Sequence, residues 1–574
     1  MQSIRAISSP TAHHMQLHRA LLLVLTLLSA CAAGGSTPIA PGGPAVSDIN
    51  GSGALLIARF AATEQDMEIS APAYVRALSF DPDNAELRQQ AFLANLLANT
   101  PETVMLAGRL PQNPAAIIVQ ANAAARRGDW MQAEARFAAL PRQGLFDILR
   151  PLLVAWSRAG AGHAQEGLDI LGPLADNSKF RPLYALHAVL IAEVAGLPVD
   201  GSKLLRLTQT DPGGSNLQVA RALAGWMVAD GHAADGEMLL RRMTEANEEM
   251  PLALPALLVA LKAGRKQVTS ATDGLAEVYL AGAGALRGQD ANEFAKVMLH
   301  LALDVRPNMT TARLLGSEIA VLTKHPERGL QLLLPVSMDD PLADVVRFRR
   351  AQLLDATGQT DVALAMMEQI AREHADRPEP LMRLGGMLRT KKRFPEAVAA
   401  YDRAAALVQV PNRSSWPLFY ERGIALERAH DWTRAEQDFL RALDLAPDQP
   451  FVMNYLAYSW AEMGLNLPRA RAMLERAATQ RPTDGAIIDS LGWVILRQGD
   501  VTGAVAKLER AIELDAADPT INAHLGDAYW AAGRKLEAQF QWRRALALNP
   551  EPEDVGKLEA KLRDGMTSPV IRTP

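Results

Sequence analysis

The chain has 574 residues, with 59 Lys and Arg against 64 Asp and Glu, 5% aromatic residues and one cysteine. A net charge of −5 with no long Lys/Arg run argues against a nucleic-acid partner, and a single cysteine rules out an internal disulfide framework. A chain this long ordinarily needs several cores, unless it grows along one axis by repetition.

Residues 1–30 read as a secretory signal. His18 and Arg19 precede an apolar run from Leu21 to Leu28, too short to span a bilayer but suited to a signal core. Its ending, Leu28-Ser29-Ala30-Cys31, resembles the lipobox of bacterial lipoproteins. The resemblance implies that Cys31 is lipidated and opens the mature chain; the competing reading is an ordinary cleaved signal beside a chance cysteine. Residues 1–14 make a long leader, so Met15 is an alternative start. Residues 31–50, rich in Gly, Pro and Ser, read as the lipidated Cys and a flexible tether. Ala32 after the cysteine implies, again by resemblance, the periplasmic face of the outer membrane. Such a protein is lipid-anchored without spanning the bilayer.

Residues 51–340 predict degenerate helical repeats. Ala58, Ser70, Tyr74, Ala77 and Pro82 keep one spacing, and Ala121, Gly128, Ala133 and Phe137 keep it again. Between Pro141 and Glu249 helices are expected over Leu145–Ala159, Leu183–Ala195 and Leu217–Asp230, each ending near a Gly, without a strict register. Leu252–Leu261 is apolar for about half the length of a membrane span. The register returns with Ala283, Ala295, Leu299, Ala302 and Pro307, then Leu315-Gly316. Gly282-Ala-Gly284 begins like a dinucleotide fingerprint, but Arg287 stands where the third Gly belongs and no strand precedes it.

Residues 341–550 predict well-formed repeats. Ala351, Ala363 and Met367 are followed by Gly385, Ala397, Tyr401 and Ala404. Then come Gly423, Ala435, Phe439 and Ala442; Ala457, Ala470, Leu474 and Ala477, stretched by one residue around Pro468; Gly492, Ala504, Leu508 and Ala511; and Gly526, Ala538, Trp542 and Ala545. Gly423 to Ala457 and Gly492 to Gly526 are each 34 residues apart, the period of a tetratricopeptide repeat. The small residues let the two helices of a hairpin approach closely, the bulky residue fills the gap towards the next repeat, and Pro447 and Pro550 end the second helix. Roughly a dozen hairpins fill residues 51–550, and residues 551–574 read as a polar capping helix, Glu553–Asp564, and a tail. The expected fold is an all-α tetratricopeptide-repeat α-solenoid; the resemblance implies a right-handed superhelix whose inner wall is lined by first helices and binds partners.

In the best repeats that wall carries Asn454, Tyr458, Asp489, Trp493, His524, Asp527 and Trp530. Aromatics bury large areas while a polar edge stays paired, and Asp or Asn holds backbone donors, which suits a peptide or protein surface. The alternative is that Trp493 and Trp530 pack between neighbouring helices while Asp489 and Asp527 cap or face solvent. The Lys and Asn of the family's carboxylate clamp are not at their positions. Arg347, Arg349 and Arg350, and residues 389–393, form two basic clusters, either an acidic-partner patch or solvated helix faces. No metal-protease, P-loop or nucleophile-elbow motif occurs, so neither an enzyme, a cofactor nor a metal is expected.

The wording of Asp448–Ser459, Asp484–Trp493 and His524–Trp530 resembles a family of proteobacterial lipoprotein repeat proteins. One member of that family is the binding partner of a periplasmic carboxyl-terminal processing protease. The resemblance implies a non-catalytic adaptor holding that protease and its substrates, peptidoglycan hydrolases. An assembly scaffold for a secretion, pilus or exopolysaccharide export machine is the alternative, and self-association into a homo-oligomer stays open.

Overall fold

The computed structural model describes residues 50–210, 216–245, 249–286 and 291–566. The signal-like segment, Cys31 and its tether, Arg287 and the tail beyond Met566 lie outside the described residues. These contain thirty α-helices, two 3-10 turns and no strand. None of the helices is long and apolar enough to cross a membrane.

The chain divides into two compact units, the first ending at Thr100 and the second starting at Pro101. In the first, Gly51–Thr63 and Met67–Phe80 form a hairpin on which Ala85–Ala98 packs. Its helices approach so closely that the Ser70 hydroxyl, buried at the contact, donates to the Ala58 carbonyl at 3.0 Å. Asn50 starts the unit by accepting from the Gly53 N–H, a side-chain cap for an otherwise unpaired donor.

In the second unit the C-terminal hairpins follow the repeat register. Trp416–Arg428 pairs with Trp432–Leu445, Pro450–Met463 with Leu467–Gln480, Gly485–Arg497 with Val501–Leu514, and Pro519–Ala531 with Lys535–Ala547. Ala435, Phe439 and Ala442, Ala504, and Ala538, Trp542 and Ala545 are fully buried. The glycines are required by space. A Cβ on Gly423, Gly492 or Gly526 would lie 2.7 Å from Phe439, 2.7 Å from Leu508 or 2.5 Å from Trp542. The bulky residue therefore sits on the glycine of its own hairpin, as well as facing the next one: Phe439 and Tyr455 have ring centroids 5.2 Å apart.

The same spacing runs through the stretch whose register the sequence left unplaced. Gly144–Gly160 and Ala164–Asn177 meet at Ala155 and Gly167, with Leu171 buried; Leu217–Ala229 and Ala233–Thr244 meet at Ala224 and Gly236, with Leu240 buried. In each pair the glycine Cβ position falls within 3.0 Å of the facing carbonyl. At Thr310–Leu322 and Pro326–Leu333 the contact is Ser317 with Gly329, one residue beyond the expected Gly316.

One expectation of simple succession fails. The helix Ala271–Leu286 packs on Gly144–Gly160, with Gly274 against the Trp156 indole, and the Tyr279 hydroxyl donates to Asn122 at 2.6 Å. Residues 181–262 thus form an excursion, after which the stack resumes on hairpins 100 or more residues earlier in the chain. The apolar Leu252–Leu261 stretch closes this excursion as a 3-10 turn, Met250–Ala253, and a helix, Leu254–Lys262, with Leu252, Leu254, Leu257 and Leu261 buried in protein cores. The Gly282-Ala-Gly284 stretch lies inside Ala271–Leu286.

Gly526→Leu and Gly492→Leu should each cost about 1–3 kcal/mol or more, because a packed core cannot make room for the inserted atoms. Urea denaturation followed by circular dichroism reads the loss as a lowered midpoint. Gly172→Ala, where an added Cβ meets nothing within 4 Å, should lower it in neither case.

Candidate protein-binding wall

Three successive first helices, Pro450–Met463, Gly485–Arg497 and Pro519–Ala531, bring the expected wall residues together. Asp484 and Asp518 fix the starts of the second and third by accepting from the N–H groups of Ile487 and Ile521. The Trp493 and His524 rings stack with centroids 4.2 Å apart, and the Tyr458 ring, tilted by 43°, lies 5.9 Å from His524. His524 Nδ1 is 2.9 and 3.1 Å from the two Asp489 carboxylate oxygens. Asp527 accepts from Trp542 Nε1 at 2.9 Å and from Lys561 Nζ at 2.7 Å, and Trp530 lies against Trp542, centroids 5.3 Å apart. Asn454 is half-buried on the first helix; its Oδ1 and the Trp493 Nε1 find no hydrogen-bond partner among the described residues.

Four of the seven stripe residues are interior, and Asn454, Tyr458 and Trp530 are half-buried. Asp489, Trp493, His524 and Asp527 are 4, 6, 7 and 3% exposed. The covering element is the C-terminal helix, Pro552–Asp564. Leu558 is buried in the same core as Trp493 and Trp542, Leu562 and Met566 pack against it, and Gly565 lies on the Trp530 ring. At the other end of the helix Glu551 pairs with Lys392 at 2.8 Å and Glu553 with Arg428 at 3.6 Å. This element therefore does more than cap the last hairpin: it reaches hairpins far earlier in the chain.

Burial alone would push the His524 imidazole down, but the Asp489 carboxylate, aided by Glu462 and Asp527, outweighs it and holds the pKa above the ordinary histidine value. The cluster thus pairs the His524 imidazole with a buried carboxylate beside two aromatic rings.

The basic clusters are largely internal ion pairs. Arg347 pairs with Asp344 and Glu373, Arg349 with Glu249 and Glu318, Arg389 with Glu421, Lys391 with Asp355 and Arg393 with Glu396. Among the described residues no group of three or more His, Cys, Asp or Glu side chains is arranged to hold a metal.

A cleft not expected from the sequence opens where the excursion meets the resumed stack. It has a volume of about 740 Å³ and is lined by Leu186, His187, Leu217, Glu277, Leu280 and Leu314, among others. Trp156 Nε1 donates to His187 Nδ1 at 2.9 Å, which leaves the proton on Nε2, an atom without a partner. Burial pushes the His187 pKa down to about 3, and burial, opposed by Arg306, raises that of Glu277. The sequence signal for this site was one His and one Glu in apolar helices some ninety residues apart, a pattern that buried packing produces equally well.

Residues 348–412 match the family model described as "Tetratricopeptide repeat" and residues 494–533 the one described as "TPR repeat". A TPR repeat-containing protein of Pseudomonas aeruginosa, PA4667, is 32% identical over 110 residues, 19% of this chain and 18% of the relative. The chain thus matches less than a fifth of that relative's length. Among solved structures, a tetratricopeptide repeat protein from Parabacteroides merdae is 16% identical over 43% of this chain and 95% of its own, with a TM-score of 0.36. The Cut9-Hcn1 hetero-tetramer of the APC/C is 12% identical over 89% of this chain and 96% of its own, with a TM-score of 0.37. The chain is a tetratricopeptide repeat-containing α-solenoid. That architecture is one of protein-binding scaffolds, its hairpins stacking to expose long surfaces.

The two buried histidines give opposite pH slopes. His524, with a raised pKa, contributes stability that is full below about pH 6.5 and lost as pH rises through its folded value. Melting of the C-terminal repeats should fall as pH rises above about 6.5, and His524→Asn should flatten that slope. His187, with a lowered pKa, contributes stability present above about pH 6.5 and lost on acidification, about 2 kcal/mol between pH 7 and pH 5. Hydrogen exchange in Arg181–Ala195 should rise accordingly over that interval, and less so in His187→Gln.

Proposed function

We propose that this protein is a non-catalytic adaptor, lipidated at Cys31, held at the periplasmic face of the outer membrane and binding proteins along its first-helix wall. The observation that carries the binding role is the cluster of Tyr458, Asp489, Trp493, His524 and Asp527, in which three successive first helices converge on one polar and aromatic surface. Packing alone favours apolar residues at such positions, because buried charge is costly unless paired. The Leu28-Ser29-Ala30-Cys31 ending supports the anchor, and the wording of the three C-terminal segments supports a carboxyl-terminal processing protease and its cell-wall hydrolase substrates as partners. An adaptor of this kind works by effective concentration: two partners held on one tethered scaffold meet far more often than when free.

The soluble form beginning at Ala32 should capture a processing protease or a peptidoglycan hydrolase from periplasmic extract. With purified partners it should speed cleavage of the hydrolase by about tenfold or more. Capture of only pilus, secretion or polysaccharide-export components would instead favour the assembly-scaffold reading. Cys31→Ser should release the protein from membranes, and unchanged membrane association would overturn the anchor.

A further inference from the structure

The C-terminal helix occupies the wall as a ligand would. It reaches several hairpins: Lys561 meets Asp527, Lys392 and Arg428 receive Glu551 and Glu553, and Asp554 is close enough to Tyr458 to help raise its pKa, after burial, Glu462 and Asp489. Its contact face is the helical set Val555, Leu558, Lys561 and Leu562, two leucines four apart with the lysine between them.

The helix is also weakly held. Leu558 is its one buried residue, whereas Pro519–Ala531 buries eight and Gly485–Arg497 eleven. Gly556 sits in its interior, where an added Cβ would meet nothing within 4 Å, so this glycine answers no packing need and lowers helix propensity. The Glu551 and Glu553 pairs are largely solvent-exposed and add little. On the wall's first helices two atoms go unused among the described residues: the Trp493 Nε1 donor, on a residue 6% exposed, and the Asn454 Oδ1 acceptor. A better-fitting occupant would gain what this helix leaves unmade.

We propose that Pro552–Asp564 is a displaceable self-ligand of the wall, and that the partner docking there is an amphipathic helix presenting a lysine between leucines one turn apart. The lysine pairs with Asp527, which is buried and needs a cation; the leucines take the place of Leu558 and Leu562. Closed, the chain masks its own docking surface; a partner must compete with a tethered helix at high effective concentration. This rests on the adaptor reading and adds the partner's chemistry and a built-in threshold.

The probe is a fluorescein-labelled peptide of residues 550–566, titrated by anisotropy onto the full chain. Leu558→Asp in the chain should open the wall and bind the peptide about tenfold more tightly than wild type. Gly556→Ala in the chain, which strengthens the resident helix, should weaken binding below wild type. Adding Asp527→Asn to the Leu558→Asp chain should reverse most of its gain while melting stays near that of the single variant. In wild type, amides of Pro552–Asp564 should exchange ~100-fold faster than those of Pro519–Ala531. Equal protection of the two helices, or equal peptide binding by all four proteins, would overturn the proposal. Peptide failure with protease or hydrolase capture intact would sink the self-ligand alone. Capture failing while the peptide binds would sink the adaptor partners and leave the wall standing.

Discussion

Each hairpin depends on one close approach, a small residue on the first helix lying under a bulky residue sixteen positions later. Gly526 under Trp542 and Gly492 under Leu508 leave no room for a Cβ, so the helices interlock at the shortest spacing their backbones allow. The contact consumes one face of each helix. A second face must then be covered by the neighbouring hairpin, which is why the units stack. The remaining face of the first helices is freed from packing and can carry Asp489, His524 and Asp527.

Those charges are buried all the same, and burial sets a condition on the order of the stack. A carboxylate removed from water needs a partner close at hand. Asp489 takes His524 from the following repeat, and Asp527, in the last complete repeat, takes Lys561 from the C-terminal helix. Each of these two acids is thus paired with a side chain from a later helix. The final helix stands where the first helix of another repeat would begin, and its lysine completes the series. Its leucines pack into the same core as Trp493, Trp530 and Trp542.

The hairpins were legible because their code is local. Small residues twelve apart and a bulky residue four further on lie within one hairpin, and the code holds even at Ala155, Gly167 and Leu171, where composition hid it behind a Gly-for-Ala exchange. The convergence of Tyr458, Asp489, Trp493 and His524 was legible for the same reason, since a 34-residue period superposes equivalent positions. What sequence could not show is contact between segments out of succession. Gly274 accepts the Trp156 ring, and Tyr279 bonds Asn122 across 157 residues; neither residue type marks such a pairing. The cover over the wall was hidden likewise, because a polar helix with two leucines reads as a simple cap.

In a repeat array each unit is stabilised by its neighbours, so an end unit with one neighbour is the first to open. At the N-terminal side of the wall, Trp416–Arg428 is held between hairpins on both sides, by Phe394–Leu407 before it and by Tyr455, edge-on to Tyr420, after it. At the C-terminal side the cover is held by Leu558, two partly buried apolar residues, the Lys561 pair and two largely exposed ion pairs at Lys392 and Arg428. The acidic, aromatic surface thus adjoins a helix that buries a single side chain, Leu558. Its buried acid nevertheless requires a cation, so the open state carries a cost that an incoming lysine removes. A surface masked this way favours partners that bring both the charge and the apolar contacts, and rejects those that bring only one.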